Sequence, residues 1–369
     1  MQYFLLLLEL VLVFSIIVRS HPDEGLSLTQ FVKKHGYSIE THYIETPDGY
    51  ILATHLIPHG VSNVHTKRVV LLVHGMGSSA ENYVILGPPN ALAFYSADRG
   101  YDVWLFNARD TFHSRKHRKF KVIMDAKNFW HFSWNEIGIY DLPITIDYAL
   151  EHSQAQKLLY VGHSQGGTCF YVMLSERPEM NAKISAAALL APVSFLHNTF
   201  SPILGFGARI RQFIKRIMDI FNWYELPAPN TPMVNRKLFT LCKPPDMQDI
   251  CMEIIYFFAV SPSTNLPMEP LCNINNANLQ LRPANHQRGF KKYDYGLNTN
   301  LRLYNSTMLP EYNLSNQDGR ELFQHLPTVV LKYEVPIDNW NHLDYLLADQ
   351  AKEVIYDKIL EVFKEYERK

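Results

Sequence analysis

Gly162-His163-Ser164-Gln165-Gly166 follows directly on the apolar run 157–161 and opens a helix-compatible stretch. A sharp strand-to-helix turn needs glycine at both flanks because a Cβ would clash there, and such a turn lifts the serine hydroxyl above the sheet as a nucleophile. The bland alternative is a glycine-rich turn with an idle serine, and the strand–turn–helix context weighs against it. Acyl transfer by Ser164 also needs donors for a developing oxyanion. The apolar run 69–73 leads into His74-Gly75-Met76-Gly77-Ser78-Ser79, which makes the backbone N–H groups of Met76 and Gln165 the natural donor pair. The base comes last in chain order, after serine and acid, and His342 in Asn341-His342-Leu343-Asp344 sits just past the final predicted strand.

Those residues must be held by a sheet. Continuous apolar runs at 68–73, 102–106, 157–161, 186–191 and 328–333 suit buried parallel strands. Helix-like stretches at 80–98, 134–151, 168–176 and 350–366 alternate with them, giving an α/β class with a mainly parallel sheet. Near the start, 37–45 and 50–57 flank Pro47-Asp48-Gly49 as a hairpin. From 195 to 288 the alternation breaks into helical pieces joined by Pro- and Asn-rich connections, which is the pattern of a helical cap inserted at the carboxyl edge of the sheet. The expected organisation is a signal peptide at 1–20, core at 21–194, cap at 195–288 and the rest of the core at 289–369.

The chain has 369 residues, 47% of them hydrophobic and 19% charged, so a large buried core is available and fibrous or disordered classes are excluded. With 35 basic and 36 acidic residues there is no global field for a polyanion, and no nucleic-acid partner is expected. His113 and His117 have the i, i+4 spacing of a metal pair, but Arg115, Lys116, Arg118 and Lys119 surround them and would repel a cation. No metal and no cofactor are expected. The apolar run 4–18 followed by Val18-Arg19-Ser20 reads as a cleavable leader rather than an anchor, since a bilayer core needs roughly 20 residues. Cys242 and Cys251 are close enough to staple a local loop in an oxidising compartment, and Cys169, in the helix after the serine, is expected to be free. Asn305 and Asn313 open acceptor sequons for N-glycosylation.

The chain resembles the acid lipase family, which includes gastric lipase and lysosomal acid lipase. The resemblance is carried by Leu72-Val73-His74-Gly75 with Ser78-Ser79, Gly100 through Leu105, Ser114-Arg115-Lys116-His117, Phe132-Ser133-Trp134, Tyr140-Asp141-Leu142-Pro143, Tyr160 through Gly166, Tyr312-Asn313-Leu314-Ser315 and Asn341 through Tyr345. It implies an α/β-hydrolase core with a helical cap and hydrolysis of neutral lipid esters, triacylglycerol or cholesteryl ester, at a lipid–water interface. It further implies Ser164 and His342 as catalytic positions, a Cys242–Cys251 disulfide, and a secreted or lysosomal location. Oligomeric state is left open.

Departures from the family pattern carry as much information. Acid lipases place another buried strand, with the catalytic aspartate in its exit loop, between the Tyr-Asn-Leu-Ser segment and the strand before the histidine. Here Ser315 is followed by only ten residues, 316–325, before Leu326-Pro327-Thr328, too few for a strand and a loop. One core strand and the triad acid are therefore expected to be missing, Asp318 being a weak substitute. Arg109-Asp110-Thr111-Phe112 stands where the family has a Gly-Asn turn, and the cap is shortened between Leu271 and Gly289. The sequence leaves two readings: a serine ester hydrolase, or a catalytically impaired lipid-binding relative or defective isoform. If 328–333 paired directly with 186–191, His342 would be displaced by one strand spacing, about 4.8 Å, and lose Ser164.

Overall fold

Arg68–Val73, Tyr101–Leu105, Leu158–His163 and Ile184–Leu190 form four adjacent parallel strands, and each falls on an apolar run read from the sequence. The computed structural model describes residues 26–58, 68–193, 329–338 and 340–367, together with Asp23, Arg216, Asp219, Ile220 and Tyr224. The leader, almost all of the cap, Cys242, Cys251, Asn305, Asn313 and Asp318 lie outside the described residues.

In chain order the strands are β1 (Glu40–Glu45), β2 (Tyr50–Ile57), β3 (Arg68–Val73), β4 (Tyr101–Leu105), β5 (Lys116–His117), β6 (Leu158–His163) and β7 (Ile184–Leu190). They form one sheet in the order β1-β2-β4-β3-β6-β7, with β5 paired to β2. β1 and β2 are the antiparallel hairpin expected around Gly49, whose φ of 99° is a left-handed value that glycine adopts without strain.

The helices are α1 (Leu28–Lys34), α2 (Leu92–Ala97), α3 (Ala126–Phe129), α4 (Trp134–Glu136), α5 (Leu142–Ser153), α6 (Gln165–Glu176), α7 (Asp344–Leu347) and α8 (Asp357–Tyr366). Because side chains alternate along β3, its Val70 and Leu72 pack with α2, α7 and α8, while Val69, Leu71 and Val73 pack with α5 and α6. Helices thus cover both faces, and the carboxyl ends of β3 and β6 run into the turns that carry Met76 and Ser164. No helix among the described residues is long and apolar enough to cross a membrane.

Two sequence expectations are corrected. The stretch 80–98 is not one helix: a short 3₁₀ turn at Ala80–Tyr83 and α2 are separated by Gly87-Pro88-Pro89, where prolines withhold backbone donors. Of the run expected as a strand at 328–333, residues 329–333 form none, and Val329, Val330, Leu331 and Tyr333 stand exposed. A strand needs a partner for its backbone groups, and 329–333 do not pair with β7, which ends the sheet among the described residues.

A buried cation holds the loop after β4. Arg109 is fully buried, with Nε and Nη2 on Asp141 at 2.6–3.1 Å and Nη1 and Nη2 on Asp48 at 2.5 and 2.9 Å. Its guanidinium also lies 4.1 Å from the Tyr50 ring centroid. The next residue, Asp110, is buried and its Oδ1 has no hydrogen-bond partner. Burial, and then the charge of Asp141, pushes its carboxyl up to about 7. A raised carboxylate favours folding while protonated, and that contribution is lost as pH rises from about 4 through 7. Asp110→Asn is expected to stabilise the chain by about 2–4 kcal/mol at pH 8 relative to the parent. The gain should shrink toward zero by pH 4. Urea unfolding of both chains across that range checks it; a gain independent of pH would sink the account.

Candidate active site

The turn between β6 and α6 is built around Ser164, whose φ of 54° and ψ of −117° are strained for a residue with a side chain. The flanking glycines make the turn possible. A Cβ on Gly166 would stand 2.5 Å from the Val73 carbonyl oxygen, and one on Gly162 would stand 2.9 Å from the backbone carbon of Gly166. Both sites therefore exclude alanine by contact with main chain, which cannot rotate away. The turn is tied on two sides: Ser164 N–H donates to the Leu190 carbonyl at 2.9 Å and Tyr160 hydroxyl donates to the Gly166 carbonyl at 2.8 Å, while Tyr83 hydroxyl donates to the carbonyl of Val73, at the end of neighbouring β3, at 2.8 Å.

His342 Nε2 lies 2.7 Å from Ser164 Oγ. The expectation that the lost strand would carry His342 out of reach is thus corrected, because the premise fails: residues 329–333 do not pair with β7. A tight turn delivers the histidine instead. Asn341 N–H donates to buried Asp344 Oδ2 at 2.7 Å, and Asn341 Oδ1 accepts from the N–H groups of Leu343 and Asp344 at 2.8 and 3.2 Å. His163 Nε2 donates to the His342 carbonyl at 2.8 Å, locking that turn to the end of β6. Burial, and then proximity to His342, lowers His163 to about 3, so it acts as a neutral brace. Burial also lowers His342 below the usual histidine range, keeping the imidazole neutral and able to accept a proton. Among the described residues no carboxylate pairs with its other ring nitrogen.

The oxyanion-donor candidates flank the serine. Gln165 is the first residue of α6, where a backbone N–H has no partner within its own helix. Met76 lies in the turn after β3 with its side chain 55% exposed, and an added Cβ on neighbouring Gly75 would stand 2.8 Å from Ser164 Cβ. Two features that sequence reasoning missed hold that turn. Buried His74 bonds the Gly75 carbonyl through Nδ1 at 2.8 Å and accepts from Ala108 N–H through Nε2 at 3.1 Å. Glu81 bridges Ser79 to His113, whose Nε2 lies 2.5 Å from Glu81 Oε1. His113 is therefore engaged by a carboxylate rather than poised as half of a metal pair with His117, whose Nε2 bonds the Asp48 carbonyl. The signal for His74 was its place at a strand exit; nothing in the sequence pairs His113 with Glu81. Cys169 is a free, buried thiol, as expected.

The arrangement can transfer a proton from a strained, accessible hydroxyl to a neutral imidazole, the first requirement of nucleophilic acyl transfer. Residues 28–87 match the model of a partial α/β-hydrolase lipase region, and residues 68–213 that of the α/β hydrolase fold. A putative lipase from Sulfolobus solfataricus shares the fold with a TM-score of 0.56 at 16% identity, covering 89% of this chain and 93% of that one. Over 91% of its length the chain is 34% identical to lipase 3 of Drosophila melanogaster, covering 92% of that protein. It is 31% identical to gastric triacylglycerol lipase of Bos taurus, covering 94% of each chain. With the hydrolase sheet, the serine turn and this likeness over nearly the full length, the chain belongs to the acid lipase family of the α/β-hydrolase fold.

Proposed function

We propose that the protein is a serine ester hydrolase acting on neutral lipid esters, triacylglycerol or cholesteryl ester, with no cofactor. The 2.7 Å contact between His342 Nε2 and Ser164 Oγ carries the reading. Ser164 Oγ attacks the ester carbonyl while His342 takes its proton, and the backbone N–H groups of Met76 and Gln165 receive the tetrahedral oxyanion. His342 then returns the proton to the leaving alcohol, and water repeats the cycle on the acyl-enzyme. The likeness to gastric triacylglycerol lipase and to lysosomal acid lipase/cholesteryl ester hydrolase supports the substrate class and a secreted or lysosomal location. The cap disulfide Cys242–Cys251 and glycans on Asn305 and Asn313 belong to the same reading.

His342 works without a triad acid in this proposal, so turnover is low, and the impaired-enzyme alternative differs only in degree. A fluorophosphonate probe is expected to label Ser164, with an acid limb set by His342 lying below pH 6.5, since burial lowers that group. The labelling rate should hold above that limb and fall below it. Labelling that persists in Ser164→Ala, or that shows no acid limb, would remove the proposal.

A further inference from the structure

A second cluster of chemistry-bearing side chains lies at the other edge of the sheet. Glu40 and His42 stand two residues apart on edge strand β1 and so share a face, and His152 closes the last turn of α5 beside them. One donor atom from each of the three falls within 4.8 Å of the others. His42 Nε2 lies 3.3 Å from Glu40 Oε2, and the His42 and His152 ring centroids are 4.7 Å apart.

The orientation of His42 is what a ligand needs. Its Nδ1 is 3.0 Å from the Tyr148 hydroxyl, and its ring is held 5.0 Å from the Trp104 ring. With the Nδ1 proton donated to that hydroxyl, the lone pair of Nε2 points into the cluster. In that tautomer the buried Nε2 lone pair faces the Glu40 Oε2 oxygen 3.3 Å away, acceptor against acceptor. A buried imidazole lone pair set against a carboxylate oxygen is costly, whereas a bound cation would satisfy both. Metal-ligating histidines are commonly fixed in this way by a hydrogen bond at the other ring nitrogen. The position also favours positive charge, since the twelve-residue α5 ends here and presents the negative end of its dipole.

We propose that Glu40, His42 and His152 form a surface site for Zn²⁺, completed by water. Two imidazoles and one carboxylate suit zinc, while Mg²⁺ and Ca²⁺ prefer oxygen-only sets. Donors bound about 2.1 Å from a tetrahedral ion stand about 3.4 Å apart, so the cluster must close by roughly 1.4 Å. Glu40 and His152 are exposed and can supply that movement by rotation, while His42 stays fixed. The ion would clamp edge strand β1 to the end of α5 and leave the Ser164 site unchanged. Nothing in the linear sequence joins His42 to His152, which is why the expectation of no metal rested on His113 and His117 alone.

Isothermal titration of the full chain, stripped with EDTA, with ZnCl₂ is the test, with MgCl₂ as control. Zinc is expected to bind with a Kd of about 1–10 μM, and Co²⁺ at the same site should show visible d–d bands of a four- or five-coordinate ion. His152→Ala and Glu40→Gln, both at exposed positions, should weaken binding at least tenfold and remove those bands while leaving the melting temperature in EDTA unchanged. A hundredfold excess of zinc over Kd should raise the melting temperature of the parent by about 3–4 °C and not that of the variants. No binding below 1 mM, or zinc affinity and cobalt bands that both variants leave unaltered, would overturn the site.

Discussion

Ser164→Ala is expected to lower turnover on a short-chain ester by only about 10²-fold, far less than the roughly 10⁶-fold that loss of the nucleophile costs a serine hydrolase with a complete triad. The difference follows from the proposed lack of a triad acid behind His342. An aspartate on the outer imidazole nitrogen sets the tautomer and stabilises the imidazolium, and its replacement by asparagine costs about 10⁴ in turnover. Among the described residues His342 has a serine on Nε2 and no carboxylate partner. The parent should thus begin about 10⁴-fold below a relative with an intact triad, with binding and oxyanion stabilisation left to account for most of its rate. Burst titration and steady-state rates of the parent, Ser164→Ala and His342→Ala on p-nitrophenyl butyrate decide the matter. A loss near 10⁶ for Ser164→Ala would show that a carboxylate engages His342 after all, and Asp318→Asn would then be the first variant to make.

The largest effect on stability is expected at Arg109. Arg109→Met keeps much of the volume but leaves Asp141, fully buried, and Asp48 facing each other without their cation. Removing one member of a buried ion-pair network costs about 3–5 kcal/mol, a fall in melting temperature of roughly 5 °C. The deficit should depend on pH with a definite sign. Burial raises the Asp141 carboxyl against the pull of Arg109, and without that pull it rises further. A raised acid destabilises the fold when ionised, so the variant should suffer less at pH 5 than at pH 8. Arg109→Met/Asp141→Asn should recover part of the loss, since the uncompensated buried charge is gone. A melting temperature within 2 °C of the parent for Arg109→Met alone would show that the network contributes little.

Much of this protein could be read along the chain because the relevant physics is local. Continuous apolar runs marked β3, β4, β6 and β7, since strands covered on both faces leave no polar side to alternate. Gly162 and Gly166 marked the serine turn, since the contacts that exclude a Cβ there belong to any strand–turn–helix of this sharpness. Composition bounded the class, and the Pro47-Asp48-Gly49 turn placed the first hairpin.

Tertiary structure decided what depends on residues brought together from distant parts of the chain. Apolar character alone made 329–333 read as a strand, but a strand exists only where its backbone groups pair with a neighbour, and among the described residues 329–333 take up no such pairing. For the same reason the fate of His342 could not be computed from strand spacing: a turn locked by Asn341, Asp344 and His163 places it on Ser164. Arg109 read as a departure from a family turn, and only packing revealed it as a buried cation shared by Asp48 and Asp141. The roles of His74 and His113, and the meeting of His42 with His152, have the same origin. A histidine's partner depends on which elements the sheet sets side by side, and spacing along one element does not reveal that.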